Sequence, residues 1–445
     1  MIKRSTVFTF IVLIFYPLFI VGTIPEIFRT PFDTETISRF IIPFHFQENA
    51  NIPWAVMEST KWDIFRPVYS LSVLFDYVLW GTNARMYHVT DLILSWTCYI
   101  LAFFLLKRQF GFLTAAIAVC LWAVHPAQPM SLLNIYGRND RLVTLFTVAA
   151  LSTYDISISK NVRRKSLFTL TLLFTVLAVL SKDTGIFYSL LLLPAWSFLV
   201  RKDSIRKIIT SDHFLWLGLF LLAVLFVVLR HLAGFSASID SEGINLGFRY
   251  FQGLSRLILM SLPIPSGWSP GTTAVCMVSA VATGATVFCR KCPKAMRFGA
   301  LAFSVFIFPF PFFWIQESFL WGCSLWMSLW ATGCAVFLYG KYIKPRGKKA
   351  SLVSLMLLAV ILSLSSLWSI RITRHISALF IRISDIAKYA VSTEEGPVYP
   401  QENIFSQFSD WRELDTFSDE EQCKINKYVI ELIQLETGNP ESVIE

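Results

Sequence analysis

The chain has 445 residues, of which 55% are hydrophobic and only 16% are charged, and its formal net charge is +9. Soluble domains carry about 25% charged residues, so this composition excludes an ordinary soluble protein and indicates a chain that lies in a membrane. The positive charge does not by itself indicate a nucleic-acid partner, because basic residues of membrane proteins gather in their cytoplasmic loops. We expect no nucleic acid to bind.

Apolar segments recur along the chain, beginning with Thr6–Ile24, which follows Lys3 and Arg4. This first run is predicted to be an uncleaved signal anchor, with the N-terminus in the cytoplasm. A spanning helix needs about 20 mostly apolar residues, fewer when other helices bury it, and about eleven segments qualify. The segments after the first are Met86–Leu106, Gly111–Val124, Leu142–Ile156, Leu167–Leu180, Gly185–Val200, His213–Leu232, Thr272–Phe288, Phe298–Ile315, Phe319–Gly340 and Ser351–Ile370.

The basic residues favour one orientation of these segments. With the N-terminus inside, more than half of the 39 basic residues fall at the start of the chain and in short cytoplasmic loops. These loops are 107–108, 160–165, 201–207, 290–297 and 341–349. The chain then divides into a membrane domain, residues 1–370, and a tail, residues 371–445, with seven basic and 14 acidic residues. The tail is predicted to be helical and non-cytoplasmic.

The predicted fold class is all-α, a polytopic membrane protein with a large first outer loop, Pro25–Arg85. Within this loop, Pro67–Trp80 is apolar but too short to span, so it is predicted to be a helix at the membrane interface. The sequence has no Asn-x-Ser/Thr glycosylation motif. This favours a bacterial inner membrane over the endoplasmic reticulum membrane, and both stay open.

Polar groups gather on the outer side, above all in the stretch His125–Leu142, HPAQPMSLLNIYGRNDRL. Polar groups at a bilayer edge are costly and tend to be kept for function. Ser181–Gly185 adds a lysine and an aspartate to the same side. A carboxylate can take a proton from an acceptor hydroxyl, and fixed cations stabilise a departing phosphate. The set therefore suits transfer from a lipid-linked phosphate.

The cysteines predict no metal centre. Cys289 and Cys292 form a CxxC pair, but a structural zinc site needs a second ligand pair, and none lies nearby in the sequence. We expect neither a metal nor a cofactor.

Five short motifs follow one another along the membrane domain. They are Phe32-Asp33 with Ile37; Arg66-Pro67 with Leu71, Gly81 and Tyr87-His88; His125-Pro126 with Asn134-Ile135, Gly137-Arg138 and Asp140; Ser181–Gly185; and Glu317 with Leu320. In this order they resemble motifs of the GT-C membrane glycosyltransferases, in particular the transmembrane O-mannosyltransferases that carry tetratricopeptide repeats. Each motif is weak alone, and the shared order gives the resemblance its weight.

The resemblance implies a polyprenyl-phosphate sugar donor, an inverting hexosyl or mannosyl transfer without metal, and a protein, glycan or lipid acceptor outside the cytoplasm. The prenyl chain of the donor would lie along the helices in the membrane lipid. The resemblance implies Asp33 as the general base, and Glu35 is its candidate assistant or substitute. Lys182 is implied near the donor phosphate, with Arg138 as a second candidate. The further site candidates are His125, Asp183, Glu317, Asp140 and His88.

Each candidate also has a plainer interpretation. In the plainer interpretation, Asp33 is a solvent-exposed acidic residue in a loop. His88 and His125 then cap helices or bind buried carbonyls, and Arg138 anchors a helix at the membrane edge. Lys182 forms an ion pair with Asp183, Asp140 pairs with Arg138 or Arg141, and Glu317 belongs to a structural ion pair. Asp76 and Asp91 fix helix packing.

The chain departs from the family pattern at four positions, among them Asp91, where asparagine is common, and Ser318, where arginine is usual. Thr34 stands where a second acid is usual, and Met130 stands where a glutamate is usual. The tail replaces the tetratricopeptide repeats. These departures keep open a catalytically inactive relative that serves as a binding or assembly subunit. A lipid or solute transporter is the third hypothesis; it predicts acids near the bilayer centre, whereas the acids here lie at one edge.

Overall fold

The computed structural model describes residues 4–33, 66–125, 127–160, 164–204, 213–232, 272–307 and 320–343, together with positions 36, 40, 41, 206, 208, 210, 367, 370, 371, 373, 374, 377, 378 and 381. Within these residues the chain is helical and contains no β-strand. The predicted all-α class is therefore confirmed for the described part of the chain.

The helices follow one another along the chain with short connections. They are α1 Arg4–Thr23, α2 Pro67–Trp80, α3 Ala84–Phe110, α4 Phe112–Ala123, α5 Ala127–Leu133, α6 Arg138–Lys160, α7 Arg164–Ser181, α8 Gly185–Ala195, α9 His213–Leu232, α10 Thr272–Phe288, α11 Lys294–Ile307 and α12 Leu320–Leu338. The 3-10 turns Pro25–Arg29 and Ile135–Gly137 and the π turns Trp196–Arg201 and Tyr339–Ile343 lie between or extend them.

The predicted apolar segments up to Phe319–Gly340 each overlap one of these helices, and most of Ser351–Ile370 lies outside the described residues. Four described segments are long and apolar enough to cross a membrane alone: Thr6–Thr23, Ala84–Phe110, Arg138–Ile158 and Leu320–Ile343. Helices α4 and α5 form a pair bent by 62° that would make another crossing. Shorter apolar helices accompany them, so the total number of crossings stays a prediction.

Local sequence explains where α2 and α3 end. Pro67 occupies the first position of α2, where its missing N–H costs nothing. Gly81 ends α2 with a φ of +56°, and Gly111 separates α3 from α4 with a φ of +88°. Both angles lie in the left-handed region that glycine adopts without steric strain. These breaks separate α2, α3 and α4, which pack against one another in sequence order.

Packing brings three connections to one end of the bundle. Helix α6 packs along α3 and α7, and α7 returns antiparallel to it through a short connection. The start of α6, the end of α7 and the start of α8 therefore lie together. Large aromatic side chains fill the core beside them, and Trp122 Nε1 donates a hydrogen bond to the Trp321 carbonyl at 3.0 Å, which joins α4 to α12. This end, here called the polar end, carries the candidate site.

A buried aspartate fixes the opposite end of the bundle. Both carboxylate oxygens of Asp155, near the end of α6, accept hydrogen bonds from Gln109, at 2.8 and 2.9 Å. Arg108 Nε lies 3.0 Å from the same carboxylate, and Trp196 Nε1 donates to it at 3.0 Å. Because a buried charge is stable only when it is paired and hydrogen-bonded, these contacts tie α3, α6 and the π turn after α8 together.

Candidate functional site

Four buried charges, Arg138, Arg141, Asp76 and Asp91, form an arginine–aspartate cluster at the polar end. Arg138 Nε lies 2.5 Å from Asp91 Oδ1, and Arg138 Nη2 lies 2.6 Å from Asp76 Oδ2. Arg141 Nη2 lies 2.7 Å from the second oxygen of Asp91. The four formal charges cancel. The cluster joins α2, α3 and the first turn of α6.

The Arg138 guanidinium is fully engaged within this cluster. Its Nη1 donates to the Ser72 carbonyl at 3.1 Å, and its Nη2 also donates to the Tyr87 carbonyl at 3.3 Å. The side chain is buried completely. Direct contact of Arg138 with a donor phosphate stays a prediction, and this geometry counts against it, because a phosphate would have to displace a buried carboxylate. The same contacts agree with the interpretation of Asp76 and Asp91 as residues that fix helix packing.

Lys182 lies in the turn between α7 and α8, and its Nζ donates to Asp140 Oδ1 at 2.6 Å. Both side chains are buried. Burial lowers the pKa of Lys182, the Asp140 carboxylate acts in the opposite direction, and the positive charge of Arg66 lowers the pKa further. One sequence-based interpretation of these residues was wrong: Asp140 pairs with Lys182 rather than with Arg138 or Arg141. An ion pair between Lys182 and Asp183 stays a prediction.

Asp33 is buried in the extended segment after the first 3-10 turn, and three donors hold its carboxylate. Its Oδ1 accepts from the Thr36 backbone at 2.9 Å, and its Oδ2 accepts from the Thr36 hydroxyl at 2.8 Å. Oδ2 also accepts from the Tyr136 backbone N–H at 3.1 Å. Such donors stabilise the ionised carboxylate. Asp33 is thus a buried, oriented group, and its interpretation as a solvated loop acid was wrong.

Tyr136 connects Asp33 to a cation that the sequence analysis did not select, Arg66. Arg66 Nη1 donates to the Tyr136 hydroxyl at 3.3 Å, and the guanidinium lies 6.0 Å from the Tyr136 ring centre. Asp183 and Asp140 both act electrostatically on Arg66. Arg66 and Lys182 also act on each other electrostatically, so this part of the polar end holds two cations and two carboxylates.

The buried polar atoms of this group that have no hydrogen-bond partner among the described residues include Arg66 Nε and Asp140 Oδ2. Buried polar atoms in proteins are nearly always hydrogen-bonded to protein, to water or to a ligand. A donor on one residue and an acceptor on the other thus remain available at the centre of the polar end. This is the arrangement expected where a polar ligand binds.

Both histidine candidates have structural partners. His125 Nδ1 accepts from the Ala127 backbone N–H at 3.1 Å and caps the start of α5. His88 lies between two buried carbonyls, with Nδ1 2.8 Å from Leu132 O and Nε2 3.0 Å from Thr30 O. The plain interpretations, helix cap and partner of buried carbonyls, describe these contacts. A site role for either residue stays a prediction.

Some predicted site residues cannot be placed. Glu35 and Glu317, like Thr34, lie outside the described residues, and the Met130 side chain does as well. Asp183, half-buried beside Lys182, is described. The structure thus brings together Asp33, Asp140, Lys182 and Asp183 around Arg66 and Tyr136. The signal for Arg66 was present in the Arg66-Pro67 motif, but a residue before a helix also often serves only to begin it.

Two comparisons with known proteins bear on this arrangement. A segment of 137 residues, 30% of the chain, is 31% identical to Protein O-mannosyl-transferase F38B6.6 of Caenorhabditis elegans, of which it covers 19%. The chain thus spans about a fifth of the length of that curated relative. The structure of ArnT from Cupriavidus metallidurans bound to undecaprenyl phosphate matches 96% of this chain and 89% of its own, with a TM-score of 0.50 and 12% identity. No protein-family model matches the chain.

The fold is therefore that of a GT-C-like, all-α membrane protein, because the likeness to ArnT extends over nearly the whole chain. Within this class, the chain resembles the protein O-mannosyltransferases, as its ordered motifs imply.

Proposed function

We propose that the chain is an integral-membrane glycosyltransferase that transfers a sugar from a polyprenyl-phosphate donor to a hydroxyl acceptor on the non-cytoplasmic side of the membrane. Transfer of a hexose, and of mannose in particular, is part of the proposal. Two relatives support it: one is a protein O-mannosyltransferase by name, and the other was solved bound to undecaprenyl phosphate.

One observation carries the proposal: an oriented carboxylate and one cation contact the same turn, and a second cation lies within electrostatic range of the first. Asp33 is hydrogen-bonded to the backbone of Tyr136, whose hydroxyl accepts from Arg66. Arg66 in turn lies within electrostatic range of Lys182. A base and two cations at the same end of the bundle are the groups that transfer from a sugar phosphate needs.

The chemical step follows from these groups. Asp33 takes the proton of the acceptor hydroxyl while that oxygen forms a bond to the anomeric carbon of the sugar. The bond from the anomeric carbon to the phosphate oxygen breaks, and its electron pair stays on the polyprenyl phosphate. Lys182 and Arg66 stabilise the negative charge that grows on this phosphate. Attack from the face opposite the phosphate inverts the anomeric centre.

The arginine–aspartate cluster has a different part in this scheme. Arg138 begins α6 two residues after Tyr136, and its buried ion pairs fix where that helix starts. The cluster thereby positions the Tyr136 backbone N–H that holds Asp33. Arg138 acts as a positioning residue, whereas Arg66 takes the place beside Lys182 that the sequence analysis assigned to Arg138.

A specific observation favours a second candidate function, a catalytically inactive relative that binds the lipid carrier or a partner. Lys182 Nζ lies only 2.6 Å from Asp140 Oδ1, so its charge is already neutralised. An enzyme would have to release Lys182 from this pair when the donor binds, whereas a binding subunit could keep it closed. The two candidates differ in whether sugar is transferred.

The deciding experiment uses the full chain in lipid nanodiscs with radiolabelled polyprenyl-phosphate hexoses and a cell-envelope extract. We expect the label to move from lipid to a non-lipid acceptor or a second lipid. The Asp33→Asn variant should lose about 10²- to 10⁴-fold in rate, the usual contribution of general base catalysis. The control is Asp203→Asn, which changes a half-buried aspartate at the opposite end of the bundle.

The two variants make the result interpretable. Both must show the same thermal unfolding temperature as the parent chain, so that a loss of transfer is not a loss of fold. Transfer that Asp33→Asn leaves unchanged would remove Asp33 as the base. Absence of transfer from every labelled donor, with donor binding retained, would favour the inactive relative.

A further inference from the structure

A cavity lined almost only by apolar side chains lies far from the candidate site. Its volume is about 440 Å³, within the range of roughly 300–1,000 Å³ that is usual for small-molecule sites. Phe198, Leu199, Trp216, Phe288 and Leu301 form most of its wall, and the single charged side chain on the wall is that of Arg297.

The path of the chain places this cavity at the end of the bundle opposite Lys182. Helix α8 begins three residues after Lys182 and leads away from the polar end to Pro194, which lines the cavity. Helix α11 runs the other way. Its Arg297 lies at the cavity, whereas Phe306, near its end, stacks on Tyr188 at a ring distance of 3.7 Å, close to the start of α8. The cavity is therefore separate from the groups assigned to transfer.

The cavity opens to the outside of the bundle through exposed aromatic side chains. Phe288 is 82% exposed and Phe198 is 48% exposed, although both belong to apolar segments. In a membrane such side chains contact lipid rather than water. The opening therefore faces the acyl chains of the surrounding bilayer.

Arg297, on the cavity wall, and Lys294, one turn before it on α11, place two positive charges near this end of the helix, here called the charged rim. Arg297 Nε donates to the Val287 carbonyl at 2.7 Å, while its Nη groups have no acceptor among the residues that the structure describes. Lys294 Nζ lies 5.7 Å from the Phe110 ring centre, and the charges of Arg201, Asp155 and Lys202 all act on it. The cations outnumber the single Asp155 carboxylate among them, and this excess of positive charge favours binding of a further anion.

We propose that this cavity binds one anionic glycerophospholipid, with an acyl chain in the apolar cavity and the phosphate on Arg297 and Lys294. Basic pockets between helices at a membrane surface are known binding places for anionic head groups. The apolar wall and the charged rim match the two halves of such a lipid. The site is independent of the sugar donor, because it lies at the other end of the bundle.

The test uses the full chain in nanodiscs that contain phosphatidylglycerol with a photoactivatable group in its acyl chain. Peptide mapping should find the label on the segments around Phe198, Phe288 or Leu301. Phosphatidylcholine with the same acyl group should label these segments more weakly. Excess unlabelled phosphatidylglycerol should compete, whereas inorganic phosphate should not.

The variant Lys294→Gln combined with Arg297→Gln should reduce the labelling by phosphatidylglycerol, about fivefold for each charge removed. The matched control is Lys341→Gln, an exposed lysine of the π turn after α12 that does not line the cavity. Should the double variant fail to fold, Leu301→Trp alone fills the cavity and should abolish the labelling. Equal labelling by both lipids, or labelling that these variants leave unchanged, would overturn the proposal.

Discussion

The carboxylate of Asp33 and the backbone N–H of Tyr136 are hydrogen-bonded at 3.1 Å, although 103 positions separate the two residues. This contact attaches the first outer loop to the turn that precedes α6. The same turn presents the Tyr136 hydroxyl to Arg66. A single turn thus orients the candidate base and one of the two candidate phosphate-binding cations.

Replacement of Arg66 tests whether this cation binds the donor. Arg66→Gln should raise KM for the polyprenyl-phosphate donor by roughly tenfold or more, because a charge-assisted hydrogen bond contributes about 1.5–3 kcal/mol. Tyr136→Phe removes the hydroxyl that accepts a hydrogen bond from Arg66 and should raise KM less than Arg66→Gln does. Donor titrations in the nanodisc assay measure both.

The control for Arg66 is Arg374→Gln, because Arg374 is exposed and forms a looser ion pair with Glu26, at 3.7 Å. It should leave KM unchanged. A KM for Arg66→Gln equal to that of the parent chain would show that Lys182 binds the phosphate without Arg66.

We expect the protonation of Lys182 to set the alkaline limit of activity. Its ammonium must be protonated to stabilise the phosphate, so activity falls as the pH rises through its pKa. Burial lowers this pKa, and the fall should therefore begin below the ordinary lysine value of about 10.4. Lys182→Arg should stay active and move the limit upward, because arginine keeps its proton to a pH of about 12 or more.

The pH profiles of the parent chain, Lys182→Arg and Lys107→Arg measure this effect. Lys107 lies at the opposite end of the bundle, where it donates to Thr9 at 3.4 Å, and its replacement should not move the profile. An alkaline limit that is identical in all three proteins would assign the titration to another group.

We expect replacement of Arg138 to lower the free energy of unfolding substantially. Arg138→Met leaves Asp76 and Asp91 without this partner, and removal of one member of a buried ion pair costs about 3–5 kcal/mol. Arg374→Met opens an exposed pair and should cost about 0–1 kcal/mol. Thermal unfolding of both variants in the same detergent gives the comparison.

Donor kinetics of the folded fraction then separate two roles of Arg138. A positioning residue that fixes α6 should leave KM for the donor near its parent value. A strongly raised KM in protein that remains folded would return Arg138 to the phosphate site.

Two glycines, Gly299 on α11 and Gly333 on α12, allow these helices to pack closely. A methyl group at Gly333 would lie 2.6 Å from the backbone nitrogen of Met296, and one at Gly299 would lie 2.6 Å from that of Trp330. Backbone atoms cannot move aside without separating the helices, so Gly333→Ala should destabilise the protein by about 1–3 kcal/mol. Small residues allow this close approach in membrane helices.

Gly284→Ala is the matched control, since no heavy atom lies within 4 Å of the added methyl group. It should be neutral or slightly stabilising, because alanine favours a helix over glycine by about 1 kcal/mol. Equal unfolding temperatures for the two variants would contradict the close packing of α11 on α12.

The helices themselves were determined by local sequence. The segments predicted as Pro67–Trp80, His213–Leu232 and Thr272–Phe288 coincide residue for residue with α2, α9 and α10. An apolar run must satisfy its backbone hydrogen bonds internally in lipid, so its length and its proline or glycine ends define a helix without reference to the rest of the chain. The ordered motifs likewise indicated the class of fold that the comparison with ArnT shows.

The partners of the charged residues were decided only by the tertiary structure. Asp140 was interpreted as a partner of Arg138 or Arg141, yet it pairs with Lys182, while Arg138 pairs with Asp76 and Asp91. A buried charge takes whichever opposite charge the packed helices bring within hydrogen-bonding distance. That choice depends on how α2, α3, α6 and α7 lie against one another, which the spacing of residues along a single segment does not contain.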